Sequence, residues 1–341
     1  FSPQQRQQLI EGTLAAQFAT ISEAAKGCDV VVGSGALQVA APSIAEKAGI
    51  RYVHVQYCPV TLPSSHHAPP ALPGWARDDT ASNGELWAVD AQRWNDSWGA
   101  ALNAHRASIG LAPVDDVRSH ILTDRPWLAS DPTLSPWPEP EDTHVFQTGA
   151  WILPDERSLP AKLEDFLDAG DPPVYFGLGS MAAPAEGVGG VMLDVARSLG
   201  RRAVISRGWA DLALPGGASD SILIGEVNHQ ALFQRVIAVV HHGGAGTAST
   251  AARAGVAQVV IPQRYDQPYW AQRVRDLGIG VAHTLGMPTA ESLATALGPA
   301  LEPAVTTRAR SIAGAVRTDG AEFAAQQLAA PATGSRGWGN S

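Results

Sequence analysis

The chain has 341 residues, of which 45% are hydrophobic and 17% charged, which is ordinary for a globular protein and sufficient for two domains. Its formal net charge of −9 at pH 7 argues against nucleic acid as the main partner. No apolar run approaches the roughly 20 residues of a membrane span, no signal peptide is recognised, and the two cysteines lack metal-ligand spacing, so a cytoplasmic protein is expected.

The sequence pattern of the first part of the chain, residues 1–150, predicts an α/β domain. Its helices are predicted at 2–25, 37–47 and 83–108, and its strands at 29–32, 51–57, 120–123 and 144–147, the first of them buried. Gly33 and Gly35 follow the first strand as half of a dinucleotide fingerprint, but Gln38 stands where its third glycine or alanine belongs. A tight turn is therefore favoured over a nucleotide site at this point.

Two features of this part have alternative interpretations. Trp87, Trp94 and Trp98 share one face of the helix 83–108, which indicates a buried core face or, alternatively, an aromatic wall for a flat aromatic ligand. His66 and His67 lie in a long loop, with no carboxylate or cysteine nearby at ligand spacing. A solvated loop is favoured over a metal site for these two histidines.

The sequence pattern of the second part of the chain predicts a linker at 151–162, a domain at 163–330 and a disordered tail at 331–341. Its predicted strands alternate with helices and lie at 174–178, 203–206, 222–224, 236–240 and 258–261. Such alternation indicates a parallel sheet covered on both faces. Ligands bind at the carboxyl ends of such strands, so the segments that directly follow them should converge on one edge of the sheet.

The stretch 236–267 is the most informative of these segments. A buried strand is followed by His241, His242 and a glycine-rich turn, then by a helix of small residues that starts near Thr247, and then by a second buried strand. Glycines permit a close approach of the backbone to a ligand. A helix start offers unpaired N–H groups and a positive dipole end, which suit a phosphate or diphosphate. The glycine spacing is neither the dinucleotide fingerprint nor a P-loop.

The residues of this stretch support a family resemblance. The run from His241 to Thr247, followed by Asp266 and Gln267, resembles the donor-binding motif of family-one inverting glycosyltransferases, whose two facing Rossmann-like domains form the GT-B fold. Residues 225–230 resemble the family's base-binding segment. Residues 148–151 and 317–321 resemble segments of the vancomycin group, which decorates glycopeptide antibiotics in actinobacteria. The resemblance covers essentially the whole chain.

The resemblance implies roles for a set of donor-binding residues. The nucleotide base would meet the backbone of Val227, with Asn228, Gln230, Arg207 and Trp209 nearby. The diphosphate would meet the backbone of the glycine turn together with Ser180 and His241, and the sugar hydroxyls would meet Asp266 and Gln267. The members of the glycine turn are Gly243, Gly244, Ala245, Gly246 and Thr247. Asp266 has an alternative interpretation as the N-cap of the helix that contains Pro268.

The chain has no Asp-x-Asp metal motif, so we expect no metal ion and no other cofactor. The helix start and His241 would stabilise the departing diphosphate instead. An inverting enzyme also needs a base, which this family carries just after the first strand of its first domain. Nothing before Asp29 has that pattern, so we expect the first domain to be incomplete, lacking an N-terminal βα segment. No catalytic residue and no acceptor-binding residue is therefore assigned.

The favoured function is that of a hexosyltransferase. It would move a sugar from a UDP- or TDP-sugar, with inversion, to a hydroxyl of an aromatic or peptide natural product, in particular a glycopeptide aglycone. One alternative is a non-catalytic helper that binds nucleotide sugars. Another is a sugar-nucleotide epimerase of the same fold, which the segment 227–230 disfavours. A dinucleotide dehydrogenase is disfavoured because neither glycine turn has the required spacing.

Overall fold

The structure, a computed structural model, describes residues 2–35, 37–72, 78, 80–138, 143–179, 187–208 and 219–330. Ser180, Trp209 and the predicted tail 331–341 lie outside the described residues. The described chain forms two parallel sheets, one of four strands and one of six, with helices packed on them. This confirms the α/β prediction. Among the described residues, none of the helices has both the length and the apolar character that crossing a membrane requires.

The four-stranded sheet is built by the first part of the chain. Its strands, which lie side by side in chain order and are all parallel, are β1 (Val30–Ser34), β2 (Arg51–Gln56), β3 (Trp127–Leu128) and β4 (Phe146–Gln147). The helices are α1 (Pro3–Ala24), α2 (Ala41–Ala48), α3 (Asn83–Trp94), α4 (Ala100–Ser108) and α5 (Val117–Leu122). A single π-helical turn, Asn95–Gly99, joins α3 to α4, so the predicted helix 83–108 is continuous.

The structure corrects two predictions in this part. Residues 120–123 were predicted as a strand, but 120–122 belong to α5 and Thr123 is its C-cap residue; the first turn of α5 is capped by Asp116 through the N–H of Ser119. A short apolar run is compatible with either a helix or a strand, and here Ile121 and Leu122 are buried from a helix. The second correction concerns β1, which was predicted as buried. Val32 is 38% exposed because β1 lies at the edge of the described sheet.

The six-stranded sheet confirms the doubly wound prediction for the second part of the chain. Its strands are β5 (Val174–Gly177), β6 (Ala203–Ser206), β7 (Ser221–Ile224), β8 (Ala238–His241), β9 (Ala257–Val260) and β10 (Gly280–Ala282), in the order β10-β9-β8-β5-β6-β7. All neighbouring pairs are parallel. β5, β6, β8 and β9 are buried throughout because helices cover both faces, which explains why most of their residues are apolar.

The remaining helices cover this sheet and connect it to the first part of the chain. They are α6 (Ala161–Asp168), α7 (Val188–Ser198), α8 (His229–Leu232), α9 (Ala245–Arg253), α10 (Gln267–Asp276), α11 (Ala290–Ala300), α12 (Pro303–Ala313) and α13 (Gly320–Ala329). The chain runs outward from β5 to β7 and then returns to place β8 on the other side of β5. The loops after β5 and β8 therefore leave the sheet in opposite directions and open a crevice between them.

The last helix, α13, crosses back to the four-stranded sheet. Ala324 is buried against residues of β2 and β3, and the rings of Phe323 and Phe146 stack at 5.8 Å. Gly149 and Gly320 bring the backbones of 148–151 and 317–321 into direct contact, since a Cβ on Gly320 would lie 2.6 Å from the carbonyl carbon of Gly149. The two segments that resembled the vancomycin group thus form one junction between the halves.

A mixed apolar cluster also joins the two halves. Cys58 and Leu134 from the first half pack with Ala248 and Ala252 of α9 and with Trp270 of α10. Polar contacts lie beside this cluster: Arg273 donates to the Leu134 carbonyl at 2.7 Å, and the hydroxyls of Ser135 and Tyr269 lie 3.0 Å apart. The small residues of α9 allow this close packing, which holds the start of α9 in a defined position relative to the first half.

We expect Gly320→Ala to destabilise the protein by about 2 kcal/mol, because the added methyl group would overlap backbone atoms, the nearest being the Ala150 carbonyl oxygen at 2.5 Å. The matched control is Gly12→Ala, an exposed position inside α1 where a Cβ meets nothing within 4 Å. It should be stabilising by about 0.5–1 kcal/mol. Urea unfolding measures both. Equal stability of the two variants would contradict the tight junction between the halves.

Candidate functional site

The loops at the carboxyl edge of the six-stranded sheet meet around the crevice. A Cβ on Gly208, after β6, would lie 2.7 Å from the carbonyl oxygen of Gly179, after β5. A Cβ on Gly179 would in turn overlap the ring of His242, after β8. Arg207 is exposed beside them, and its backbone N–H donates to the carbonyl of Ile224 at the end of β7. The convergence that topology predicted is therefore present.

The start of α9 faces this crevice with unpaired backbone groups. Its N-cap is Gly244, which has no side chain to cap the helix, and the first intrahelical bond runs from the N–H of Ala248 to the Gly244 carbonyl. The N–H groups of Ala245, Gly246 and Thr247 find no acceptor among the described residues. Three free amides at the positive end of a helix dipole form a site suited to an anion.

His241 does not face the crevice, which corrects its predicted contact with a phosphate. The side chain is completely buried. Its Nε2 lies 2.9 Å from the Gln258 side-chain oxygen, and its Nδ1 accepts the N–H of Gly243. Both ring nitrogens are therefore engaged within the protein, and so is the Gly243 amide that was predicted to bind the diphosphate. Burial lowers the pKa of His241 to about 3, so the ring is neutral.

His242, in contrast to His241, lies beside the crevice. Its ring lies between Gly179 and Gly244, and a Cβ on Gly244 would sit 2.6 Å from Nε2. Its buried Nδ1 has no hydrogen-bond partner in the described structure. Burial lowers the pKa of this imidazole. Successive residues at a strand end point to opposite faces, so the alternation of β8 was the sequence signal that one histidine must turn inward and the other outward.

The predicted base-binding segment presents its backbone rather than its side chains. No hydrogen bond joins the backbone N–H or carbonyl of Val227 to another described residue. The Asn228 side chain, by contrast, donates to the carbonyls of Asp155 and Arg157 at 2.7 and 2.8 Å and accepts the N–H of Ala231. Gln230 donates to the Leu153 carbonyl at 2.7 Å. These two side chains thus hold residues 153–157 against the sheet edge.

Asp266 and Gln267 lie at the start of α10, beside the glycine turn. Asp266 is the N-cap residue, as the alternative interpretation required, but its side chain makes no capping bond and instead accepts the indole N–H of Trp270 at 3.2 Å. Burial raises the pKa of the Asp266 carboxyl. The Gln267 side-chain oxygen accepts the N–H groups of Gln263 and Arg264, so this side chain shapes the loop.

A cavity of about 400 Å³ lies in the first half, beside this loop. Trp87, Trp94 and Tyr265 are among the residues that line it. Two of the three tryptophans therefore do form an aromatic wall, whereas Trp98 stacks on Trp94 from the core side. Tyr265 adopts a left-handed backbone with φ of 60°, which is rare for a residue with a side chain and turns the ring towards the cavity. The sequence did not identify this lining beyond the tryptophans.

Metal-binding residues are not clustered in the described part of the chain, where no group of three or more His, Cys, Asp or Glu side chains is placed to hold an ion. His67, one of the two loop histidines, packs between the rings of Trp87 and Trp137 and has its Nε2 2.9 Å from the Leu62 carbonyl. This histidine therefore packs against the side chain of Trp87, which itself lines the cavity.

Comparisons with known proteins agree with this architecture. Residues 213–330 match the family described as erythromycin biosynthesis protein CIII-like, C-terminal domain. The chain is 50% identical over 317 residues to the vancomycin aglycone glucosyltransferase of Amycolatopsis orientalis, covering 92% of this chain and 77% of the relative. It is 44% identical over 312 residues to the dTDP-epi-vancosaminyltransferase of the same organism, covering 89% and 74%.

Solved structures show the same fold at lower sequence identity. The glycotransferase of kitacinnamycin superimposes with a TM-score of 0.71 at 20% identity, covering 96% of this chain and 82% of that one. The calicheamicin glycosyltransferase CalG4 does so with a TM-score of 0.63 at 18% identity, covering 96% and 80%. The sheet order, the crevice and the identity to curated relatives agree, and the chain belongs to the GT-B glycosyltransferases of the vancomycin group.

Proposed function

We propose that the protein transfers a sugar from a nucleoside diphosphate sugar to a hydroxyl group of a natural-product aglycone, with inversion at the sugar carbon. The observation that carries this proposal is the pair of neighbouring sites: free amides at the start of α9 for a diphosphate, and a cavity with an aromatic wall on the other side of the loop that carries Tyr265 and Asp266. A two-substrate transfer needs such an arrangement, since both reacting groups must be held close together.

The donor and acceptor classes are suggested by the two relatives. One is named for a dTDP-linked sugar and the other for glucosyl transfer to the vancomycin aglycone. We therefore propose a TDP- or UDP-sugar as donor and a glycopeptide aglycone as acceptor. The free backbone groups of Val227 would pair with the pyrimidine base, since pairing through the backbone requires no particular side chain there.

The departing diphosphate would be stabilised by the α9 amides and by His242. As the bond to the sugar breaks, negative charge develops on the diphosphate, and preorganised N–H donors lower the energy of that state. We propose that these groups act without a resident metal ion. The Asp266 carboxylate has an oxygen besides the one that accepts the Trp270 indole, and we propose that it accepts a hydroxyl of the donor sugar.

The acceptor would occupy the 400 Å³ cavity with its hydroxyl directed towards Asp266 and the donor sugar. Attack from the cavity side, with the diphosphate leaving towards α9, is a single displacement and inverts the sugar carbon. The acceptor hydroxyl must lose its proton during this step. We assign that base to none of the described residues, because Asp266 is better placed to bind the sugar.

Titration calorimetry with TDP, UDP and NAD tests the donor site. We expect a pyrimidine diphosphate to bind and NAD not to bind. Gly244→Val should abolish this binding, because its side chain would displace His242 and cover the α9 amides. Gly12→Val, in the exposed face of α1, is the control and should bind like the original protein. Nucleotide binding that survives Gly244→Val would show that the diphosphate site is elsewhere, and equal binding of NAD would contradict the proposed donor.

Substitution of the two adjacent histidines should affect nucleotide affinity in one case and folding stability in the other. His242→Ala should weaken TDP binding by about tenfold, the value of one hydrogen bond to a charged group, with little change in stability. His241→Ala should instead destabilise the protein by about 2 kcal/mol or more, since it removes a buried hydrogen bond and leaves a cavity. For both variants, calorimetry measures the affinity for TDP and urea unfolding measures the folding stability. The reverse pattern would restore His241 as the phosphate ligand.

Asp266→Asn should raise stability at pH 7 and weaken binding of the sugar part of the donor. Burial raises the pKa of Asp266, so the cost of its charged form grows as pH rises from the unfolded-state pKa to the raised folded-state pKa, is complete above the latter and is absent in acid. The gain in melting temperature should therefore shrink as pH falls towards 4. The affinity for TDP-glucose or UDP-glucose should fall while the affinity for the free nucleotide is retained. Asp124→Asn, an exposed loop position, is the control for both readouts.

An equal loss of affinity for the nucleotide and for its sugar conjugate in Asp266→Asn would place this carboxylate on the diphosphate instead of the sugar. A stability gain that does not depend on pH would show that burial of the charge is not its cause.

A further inference from the structure

One face of β2 is polar, although most of this strand is buried. Tyr52, His54 and Gln56 alternate with Val53 and Val55, so the polar side chains lie on one face of the sheet and the valines on the other. His54 is completely buried and Gln56 is 4% exposed. Burial of polar groups is costly unless they are hydrogen-bonded, so this face persists only where its members are paired.

The three polar side chains form a hydrogen-bonded ladder along β2. The Tyr52 hydroxyl lies 3.3 Å from Nδ1 of His54, and the side-chain nitrogen of Gln56 lies 2.9 Å from Nε2. An amide nitrogen only donates, so Nε2 of His54 accepts and the proton of the neutral ring lies on Nδ1. Burial lowers the pKa of His54 to about 4, so the ring is neutral near pH 7. His54 therefore fixes the orientation of the Gln56 amide.

The ladder ends at Thr61, in the wall of the cavity. Gln56 and Thr61 both line this cavity, and Thr61 is only partly buried. The Thr61 hydroxyl lies within donating distance of two oxygens, the side-chain oxygen of Gln56 at 3.0 Å and the main-chain oxygen of Cys58 at 2.7 Å. Its single proton is therefore engaged within the protein. No N–H or O–H group of a described residue donates to the Thr61 oxygen, so its lone pairs are available to a ligand.

Thr61 lies on the side of the cavity that borders the second half of the chain. Its neighbour Val60 packs against the mixed apolar cluster that contains Trp270. The Trp270 indole donates at 3.2 Å to Asp266, the carboxylate proposed to bind the donor sugar. Tyr265, the residue before Asp266, lines the same cavity. A ligand group bound at Thr61 would therefore be held on the side of the cavity next to the donor sugar.

We propose that the Thr61 oxygen accepts a hydrogen bond from a hydroxyl group of the acceptor, and that Gln56, fixed by His54, orients the Thr61 hydroxyl for this contact. The proposal rests on the proposed function, in which this cavity holds the acceptor. It adds a residue that selects the acceptor, since a hydroxyl donates to Thr61 whereas the corresponding ether has no proton to donate. A threonine hydroxyl is too weak a base to take the acceptor proton. Thr61 thus binds and orients the acceptor, and Gln56 and His54 are positioning residues.

Titration calorimetry with a matched pair of probes tests this inference. The probes are 6-hydroxyquinoline and 6-methoxyquinoline, which share the aromatic body and the ring nitrogen. Only the first of them can donate a hydrogen bond from its substituent. We expect 6-hydroxyquinoline to bind about fivefold more tightly at pH 7, the value of one hydrogen bond between neutral groups.

Thr61→Val keeps the shape of the side chain and removes the hydroxyl. It should weaken binding of 6-hydroxyquinoline about fivefold and leave binding of 6-methoxyquinoline unchanged. Thr61→Ser keeps the hydroxyl and should keep the preference. Thr20→Val, at an exposed position of α1, is the matched control and should bind both probes like the original protein. A preference caused only by the bulk of the methoxy group would survive in Thr61→Val.

Gln56→Met tests the positioning role of the ladder. Methionine fills the space of glutamine without its amide, so the Thr61 hydroxyl loses one of its two oxygen partners. The preference for 6-hydroxyquinoline should fall about threefold, with binding of 6-methoxyquinoline unchanged. A purely structural role would weaken both probes alike or change only the unfolding temperature. Gln92→Met, at an exposed position of α3, is the control.

Thermal unfolding of each variant confirms that it is folded. The inference is overturned if neither probe binds, if both bind equally to the original protein, or if the preference survives in Thr61→Val. An unchanged preference in Gln56→Met would remove the positioning role of the ladder.

A TDP titration of the same samples separates this inference from the proposed function. If TDP binds but the probes show no preference for the hydroxyl, the assignment of Thr61 is wrong and the donor site stands. If TDP does not bind to folded protein, the proposed function fails, and the inference that rests on it fails as well.

Discussion

The position of α9 is the constraint on which both candidate sites depend. Its start must lie in the crevice next to β5 if its free amides are to meet a diphosphate, and its flank is packed against the first half of the chain through Ala248 and Ala252. Larger side chains on this flank would push the two halves apart. The alanine-rich sequence of α9 permits close packing against the first half of the chain. This packing also brings the start of the helix and the cavity of the first half near one another.

The loop between β9 and α10 connects the two sites. Tyr265 lines the cavity, whereas the next two residues, Asp266 and Gln267, lie beside the glycine turn. Gln267 accepts two backbone N–H groups of the loop, and the left-handed backbone of Tyr265 is held in place by this arrangement. A shift of this loop would alter both sites together, so the conformation of a few residues sets the spacing between the crevice and the cavity.

The two sites differ in how they present positive charge. The crevice offers backbone N–H groups, a helix dipole and an imidazole whose pKa is lowered by burial, so it attracts an anion without carrying a full charge of its own. The cavity is lined by full charges, the guanidinium groups of Arg93 and Arg118 together with the carboxylate of Asp90. A diphosphate that must leave after the reaction suits the first arrangement.

The sequence by itself determined the alternation of helices and strands, the crevice at the strand ends and the glycine turn, because these follow from local periodicity and short spacings. The family resemblance rested on the same local segments. Tertiary structure decided the rest. Whether His241 or His242 faces the crevice depends on Gln258 on a neighbouring strand, and Asn228 and Gln230 are engaged by residues more than 70 positions away. The cavity joins residues from Leu37 to Tyr265, and no local pattern records which distant side chains will share a wall.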